Sequence, residues 1–127
     1  MKIKKLPDLI KTAWLEKNGP VTVTTTDPHG IPNSIYATCV SIYDDEKILI
    51  ANNYFCKTLA NVQNGCKGNI LFITKDKKAY QMKGNFNYFT EGELFEDMNN
   101  WNPKKLPGIG VAVLTVDEIY SGANKII

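Results

Sequence analysis

The sequence predicts a mainly β domain, six antiparallel strands curled into a closed or nearly closed barrel with short flanking helices. Two observations lead there. Between Val21 and Val116, short runs of apolar and β-branched residues recur, and most of the breaks between them have tight-turn composition, as in Asp27-Pro28-His29-Gly30 and Asp44-Asp45-Glu46. The length, 127 residues, suits one hydrophobic core, so residues 1–127 are read as a single domain.

The elements follow in order. Leu6, Leu9, Ile10, Ala13 and Trp14 recur at helical spacing, with Lys11, Thr12 and Glu16 on the opposite side. Pro7 suits a first helical position and Asn18-Gly19 a stop, so an amphipathic helix is expected with Trp14 in the core. From Val21 the period changes to two. Strands are expected over Val21–Thr26, Ile31–Tyr43 and Lys47–Ala51, the last apolar enough to be covered on both faces. Lys57–Asn64 reads as a short helix ended by Gly65, with Leu59, Ala60 and Val62 as its apolar positions. Strands over Asn69–Thr74 and Ala79–Thr90, a helix over Glu93–Trp101 and a strand over Gly110–Val116 complete the series.

Composition narrows the function. Hydrophobic residues at 43% and charged residues at 22% are ordinary globular values. The net charge of +2 lacks the clustered basic stripe of a nucleic-acid surface. Every basic residue is Lys, so a bound anion must be held by Lys, hydroxyls and backbone N–H groups rather than by an Arg fork. The lone His29 argues against a His-based metal site or a Ser–His–Asp triad, and no metal site is expected. Met1–Asn18 has no apolar run of secretory type, since Asp8, Lys11 and Glu16 interrupt it, and nothing approaches a membrane span. Three cysteines without a CxxC fit a reducing compartment, so a cytoplasmic location is expected.

The segment Ile50-Ala51-Asn52-Asn53-Tyr54-Phe55-Cys56-Lys57-Thr58 carries the most chemistry. A buried strand ends, a polar loop follows, and a helix starts with a cation and a hydroxyl, a combination that attracts phosphate. A Lys-Thr pair at a helix start is equally a common solvated surface.

The run ILIANNYFCKTLANV resembles the strand–loop–helix of the FMN-binding split-barrel superfamily, to which pyridoxamine 5′-phosphate oxidase and small bacterial FMN-binding proteins belong. GIPNSIYATCVSIYDDEKILI resembles the preceding hairpin of that family, and AYQMKGNFNYFTEGELFEDM its later strand and helix, with Gly84 and the Glu91-Gly92 turn in place. The likeness covers Gly19 to roughly Val116. It implies a six-stranded split barrel of Greek-key type that binds FMN at a homodimer interface. By the same resemblance Lys57 and Thr58 would hold the phosphate, and Asn33, Ser34 and Ile35 would run along the flavin ring. Ala51, Asn52 and Asn53 would lie beneath the ring and ribityl chain, although turn formation alone would explain Asn33, Asn52 and Asn53. Gln81 would reach the cofactor, from the same or the second subunit, and Trp101 is a candidate lid from the partner, with core packing as its plainer role. A small barrel has little concave surface, so a second subunit is a physical means of covering the ring.

Departures from the family bear on the reaction. Pyridoxamine 5′-phosphate oxidases grip substrate phosphate with Arg and His as well as Lys, whereas this chain has no Arg, places its one His in a turn, and lacks their C-terminal extension. Vitamin B6 oxidation is therefore not expected. The resemblance implies a flavoprotein that moves hydride or electrons, supplied by a nicotinamide donor or a redox partner, with no catalytic acid or base evident. Two alternatives stand beside it: an F420-dependent reductase, or a non-catalytic barrel module that binds nucleic acid or protein through Tyr80, Phe86, Tyr88 and Phe89 and the nearby lysines. Cys56 at the helix start could carry redox chemistry or be an incidental small residue, and Cys39 and Cys66 have no evident partner.

Overall fold

Eight strands and three helices follow one another along residues 5–127, the part of the chain that the computed structural model describes. The basic first residues of the segment read for a leader lie outside the described residues. Helix α1 (Asp8–Leu15) leads into β1 (Val21–Thr26), β2 (Pro32–Ala37), β3 (Val40–Tyr43) and β4 (Lys47–Asn52). Helix α2 (Lys57–Gln63) precedes β5 (Lys67–Ile73) and β6 (Ala79–Phe89); α3 (Glu93–Trp101) precedes β7 (Gly110–Ser121) and the two-residue β8 (Asn124–Lys125).

All pairings are antiparallel, in the order β2-β1-β5-β6-β7-β4-β3, with β8 added to β7. The two ends of that path, β2 and β3, are separated in the chain only by Thr38 and Cys39. The single strand expected over Ile31–Tyr43 is thus broken in two. Its first half pairs with β1 and its second with β4, and the Cys39 carbonyl already accepts from Ala51 N–H at 3.0 Å. A strand that changes partners must bend, and this bend curls the sheet round on itself as a barrel. The expected count of six becomes eight through this break and through β8. Further curvature comes from the β6–β7 pairing. Lys83 faces Glu118 but Gly84 faces Val116, so Asp117 is an extra residue on β7.

Alternation sets what the barrel encloses. Val21, Val23, Ile48, Ile50, Ile70, Met82, Phe86 and Leu114 are all fully buried in one interior cluster. Helix α1 adds Ile10, Ala13 and Trp14, with the Trp14 ring edge-on to Phe72 at 5.3 Å and Phe72 stacked on Tyr80 at 5.6 Å. Leu9, expected on the buried face of α1, is exposed, because the stripe that meets the barrel is only as wide as Ile10, Ala13 and Trp14. Lys17 lies 4.0 Å over the Trp14 ring, and partial burial lowers its pKa.

Strand β4 is apolar on both faces for a visible reason. Ile48 and Ile50 point into the barrel, while Leu49 and Ala51 join Val111, Val113 and Met98 in a second cluster beneath α3. The Tyr43 hydroxyl bonds to Glu93 at the start of α3, and this partner pushes its pKa to about 12. No helix among the described residues is long and apolar enough to cross a membrane.

The β1–β2 turn is held by a side chain. Asp27 Oδ1 accepts from the N–H groups of His29 at 2.8 Å and Ile31 at 2.9 Å, while Gly30 takes φ +80°. The Ile31 N–H first, then that of His29, holds the Asp27 carboxyl below its ordinary 3.8. A depressed carboxyl contributes stability above its unfolded pKa and loses it as pH falls through the folded one. The stability difference between the protein and Asp27→Ala should therefore be full above pH 3.8 and shrink below it. Urea midpoints measured from about pH 6 down to about pH 2.5 test this; a constant difference would show that the charge is not involved.

Candidate functional site

Where the unpaired edge of β2, the Thr38–Cys39 bend, the end of β4 and the start of α2 meet, they leave a cleft of about 500 Å³. One wall is β2. Its register sets Asn33 opposite Thr25, Ile35 opposite Val23 and Ala37 opposite Val21, so these three share the inward face. The floor is Ala51 and the loop Asn53–Cys56, and Leu106 joins the lining from the connector between α3 and β7.

Lys57 and Thr58 stand at one end of this cleft. Thr58 is buried, and Asn33 Nδ2 donates to its Oγ1 at 3.2 Å, which leaves the Thr58 hydroxyl proton free to donate. Three residues on, Asn61 Nδ2 donates to the buried Thr25 Oγ1 at 2.9 Å. The inner face of α2 is therefore mainly polar, made of Thr58, Asn61 and Val62. Leu59 is only half-buried and Ala60 is exposed, contrary to the apolar pattern expected of them, because α2 turns Thr58, Asn61 and Val62 toward β6 and the polar ends of β1 and β2. Among the described residues, no side chain caps the first turn of α2. The Lys57 ammonium is exposed but near enough to Asp27 to add slightly to the lowering of that carboxyl's pKa.

The two loop asparagines are engaged internally. Asn52 Nδ2 donates to Tyr88 Oη at 2.7 Å, and its Oδ1 accepts from Phe55 N–H at 2.9 Å. Asn53 and Asn102 exchange amide hydrogen bonds of 3.1 and 2.9 Å, and Asn53 Oδ1 also accepts from Gly108 N–H at 2.9 Å. Both side chains brace the loop. Asn53 lines the cleft, and Asn52 lies behind it.

Of the remaining residues singled out from the sequence, Ser34 alternates to the outer face, where its hydroxyl meets Thr24 Oγ1 at 2.8 Å. Gln81 lies on β6 between Leu71 and Tyr120, in a separate groove of about 450 Å³ that Lys67 and Lys83 also line. Trp101 is half-buried at the end of α3, its indole N–H bonded to Asp97 at 3.1 Å. It borders a cleft of about 390 Å³ that shares Thr38 and Cys39 with the first. Within one chain, then, neither Gln81 nor Trp101 touches the Lys57 cleft.

Several lining residues escaped the sequence reading. Tyr36 and Tyr54, each 77% exposed, flank the cleft; Tyr54 falls within the Ile50–Thr58 segment already singled out, whereas for Tyr36 its place beside Ile35 was the available signal. Leu106 had none. Cys39 and Cys56 both line the cleft as free thiols, while burial raises the pKa of Cys66 elsewhere. The aromatics of the binding-module alternative are largely internal. Tyr80 and Phe86 are buried, Tyr88 packs against the core, and only Phe89 is exposed, so β6 offers no stacking platform.

Comparison with known proteins follows the same outline. The family model described as pyridoxamine 5′-phosphate oxidase matches residues 8–121. An uncharacterized protein of Methanocaldococcus jannaschii is 28% identical over 124 residues, covering 94% of this chain and 81% of the relative. Among solved structures, HupZ of Group A Streptococcus superimposes with a TM-score of 0.76 at 24% identity, over 88% of this chain and 91% of HupZ. An FMN-binding protein of Syntrophomonas wolfei gives 0.67 at 21% identity, over 93% and 84% of the two chains. At these identities the structural likenesses establish the fold.

Proposed function

Because the chain belongs to the pyridoxamine 5′-phosphate oxidase family, we propose that it is a cytoplasmic FMN-binding flavoprotein that works as a homodimer, passing hydride or electrons from a nicotinamide donor or a redox partner. The observation that carries this reading is the convergence of Asn33, Ile35, Ala51, Asn53, Lys57 and Thr58 on one cleft. Its volume, about 500 Å³, lies within the range of small-molecule sites.

The lining suits the phosphate and the ring of FMN. Lys57, with the Thr58 hydroxyl donating alongside, would hold the phosphate dianion. Ile35 and Ala37 offer apolar surface to the ring, and the unpaired backbone edge of β2 offers donors and acceptors to its polar rim. When bound, FMN supplies the redox chemistry, and the protein positions it and tunes its surroundings. Lys57 is the only cationic side chain lining this cleft among the described residues. One anion is matched and a second phosphate is not, which favours a neutral partner over a phosphorylated vitamer.

The proposal of a dimer rests on exposure. Tyr36 and Tyr54 each leave 77% of their surface in solvent beside the cleft. A second copy would cover them and the ring, with Gln81 or Trp101 supplied across the interface.

The purified protein should be yellow, release FMN on denaturation, and sediment at about twice 14.2 kDa. A colourless protein that takes up no added FMN would sink the reading. A bound chromophore with the deazaflavin spectrum would reassign the cofactor to F420.

A further inference from the structure

From the paired amides of Asn53 and Asn102 we infer that Asn102 is a positioning residue for the flavin ring: it locks the connector between α3 and β7 so that Leu106 keeps its place in the cleft wall. The inference rests on the flavin reading above.

Residues 103–109 have no regular structure, yet they carry Leu106 to the cleft. Their hydrogen bonds to the barrel come at one end only, from Gly108 N–H to Asn53 Oδ1 and from Ile109 N–H to the Asn52 carbonyl, both at 2.9 Å. The other end is Asn102, whose N–H closes α3 onto Met98 at 2.9 Å and whose side chain grips Asn53. Both ends of the connector therefore close on the Asn52–Asn53 pair, which precedes Asn102 by 49 residues and Gly108 by 55, counted from Asn53.

The donors and acceptors are nearly used up. Asn53 Oδ1 accepts two bonds and its Nδ2 donates one, within a site where Asn53 is 9% and Asn102 5% exposed. Gly108 fits with φ +53°, and a Cβ there would come within 3.1 Å of Asn102 Nδ2. Replacing Asn102 removes both amide bonds and leaves Asn53 part-satisfied in a buried place. The connector then keeps its Gly108–Ile109 bonds to the Asn52–Asn53 pair, but its other end is tied only to α3 itself, by the Asn102 N–H and by Lys104 Nζ on the Asn99 carbonyl at 2.7 Å. Lys57 and Thr58, on a different element, keep their positions.

The consequence is specific. Losing Leu106's wall weakens contact with the ring, common to FMN and riboflavin, whereas losing Lys57 weakens contact with the phosphate, present only in FMN. Asn102→Ala should weaken binding of FMN and of riboflavin by the same factor, about tenfold, leaving the ratio of the two affinities unchanged. Leu106→Ala should give the same signature without disturbing any buried amide. The double variant should be little worse than Asn102→Ala alone, because both act on one wall. In the cofactor-free protein, Asn102→Ala should speed hydrogen exchange at the Gly108 and Ile109 amides but not at Ile70 or Met82 in the barrel.

Fluorescence titration of each variant with FMN and riboflavin, together with amide exchange, tests this. Affinity unchanged in Asn102→Ala, fully additive losses in the double variant, or exchange equally accelerated in the barrel would each overturn the positioning role. If the parent protein binds neither flavin, the functional reading fails instead, and the exchange measurement still reports whether Asn102 holds the connector.

Discussion

Gly84→Ala should destabilise the protein by on the order of 4 kcal/mol or more, a large share of what a domain of this size possesses. A Cβ at Gly84 would lie 1.9 Å from the Thr115 carbonyl oxygen and 2.9 Å from its carbonyl carbon. Backbone, not a movable side-chain tip, is in the way, so relief requires parting β6 from β7 beside the bulge. Those two strands share the longest pairing in the sheet, from Gln81 to Phe89 on the β6 side. Gly68 is similar, with a Cβ falling 2.1 Å from the Thr24 carbonyl and 2.7 Å from the Phe86 ring. Urea denaturation of Gly84→Ala is the measurement. A midpoint close to that of the parent would mean that the β6–β7 approach relaxes more easily than its geometry implies.

The second large effect concerns the cofactor. Lys57→Ala combined with Thr58→Ala should leave the fold intact yet lower FMN affinity by about 1.5–3 kcal/mol or more, the scale of hydrogen bonds to charged groups. Lys57 is exposed, so its removal costs no packing. Thr58 is buried and receives the Asn33 amide, so Thr58→Ala alone should cost some stability, and Thr58→Ser should restore it. Riboflavin provides the internal control, because it lacks the phosphate and should bind parent and double variant nearly alike. Calorimetric titration with both ligands decides the matter; an unaltered FMN affinity would place the phosphate elsewhere. The effect should also weaken with added salt, since an exposed ammonium is readily screened.

Much of this architecture was legible in the residues. The change of period at Val21, the turn chemistry of Asp27 to Gly30 and of Asp44 to Glu46, and the apolar run Ile48–Ala51 identify strands and their boundaries to within a few residues. The start of α2 at Lys57 and the span of α3 were equally readable. These are local properties, in which backbone sterics, turn propensity and side-chain alternation act over two to four residues.

Other features depended on residues far apart. Thr38 and Cys39 carry no breaker signal; the strand divides there because β1 holds one half and β4 the other. Leu9 and Ile10 look alike in sequence, yet one is exposed and the other buried according to the width of the barrel end they meet. Asn52 and Asn53 suit either a turn or a ligand contact, and only the arrival of Tyr88, Asn102 and Gly108 directs their amides inward.

The sequence by itself determined a barrel of short antiparallel strands and a cation and hydroxyl at the mouth of a polar loop. Tertiary structure decided where the sheet bends, which polar groups are consumed in bracing that loop, and that Leu106 joins the cleft lining. The reason is range. Strand, turn and helix starts follow from neighbours a few bonds away, whereas a cleft exists only between segments distant in the chain, such as Asn53 and Asn102, 49 residues apart.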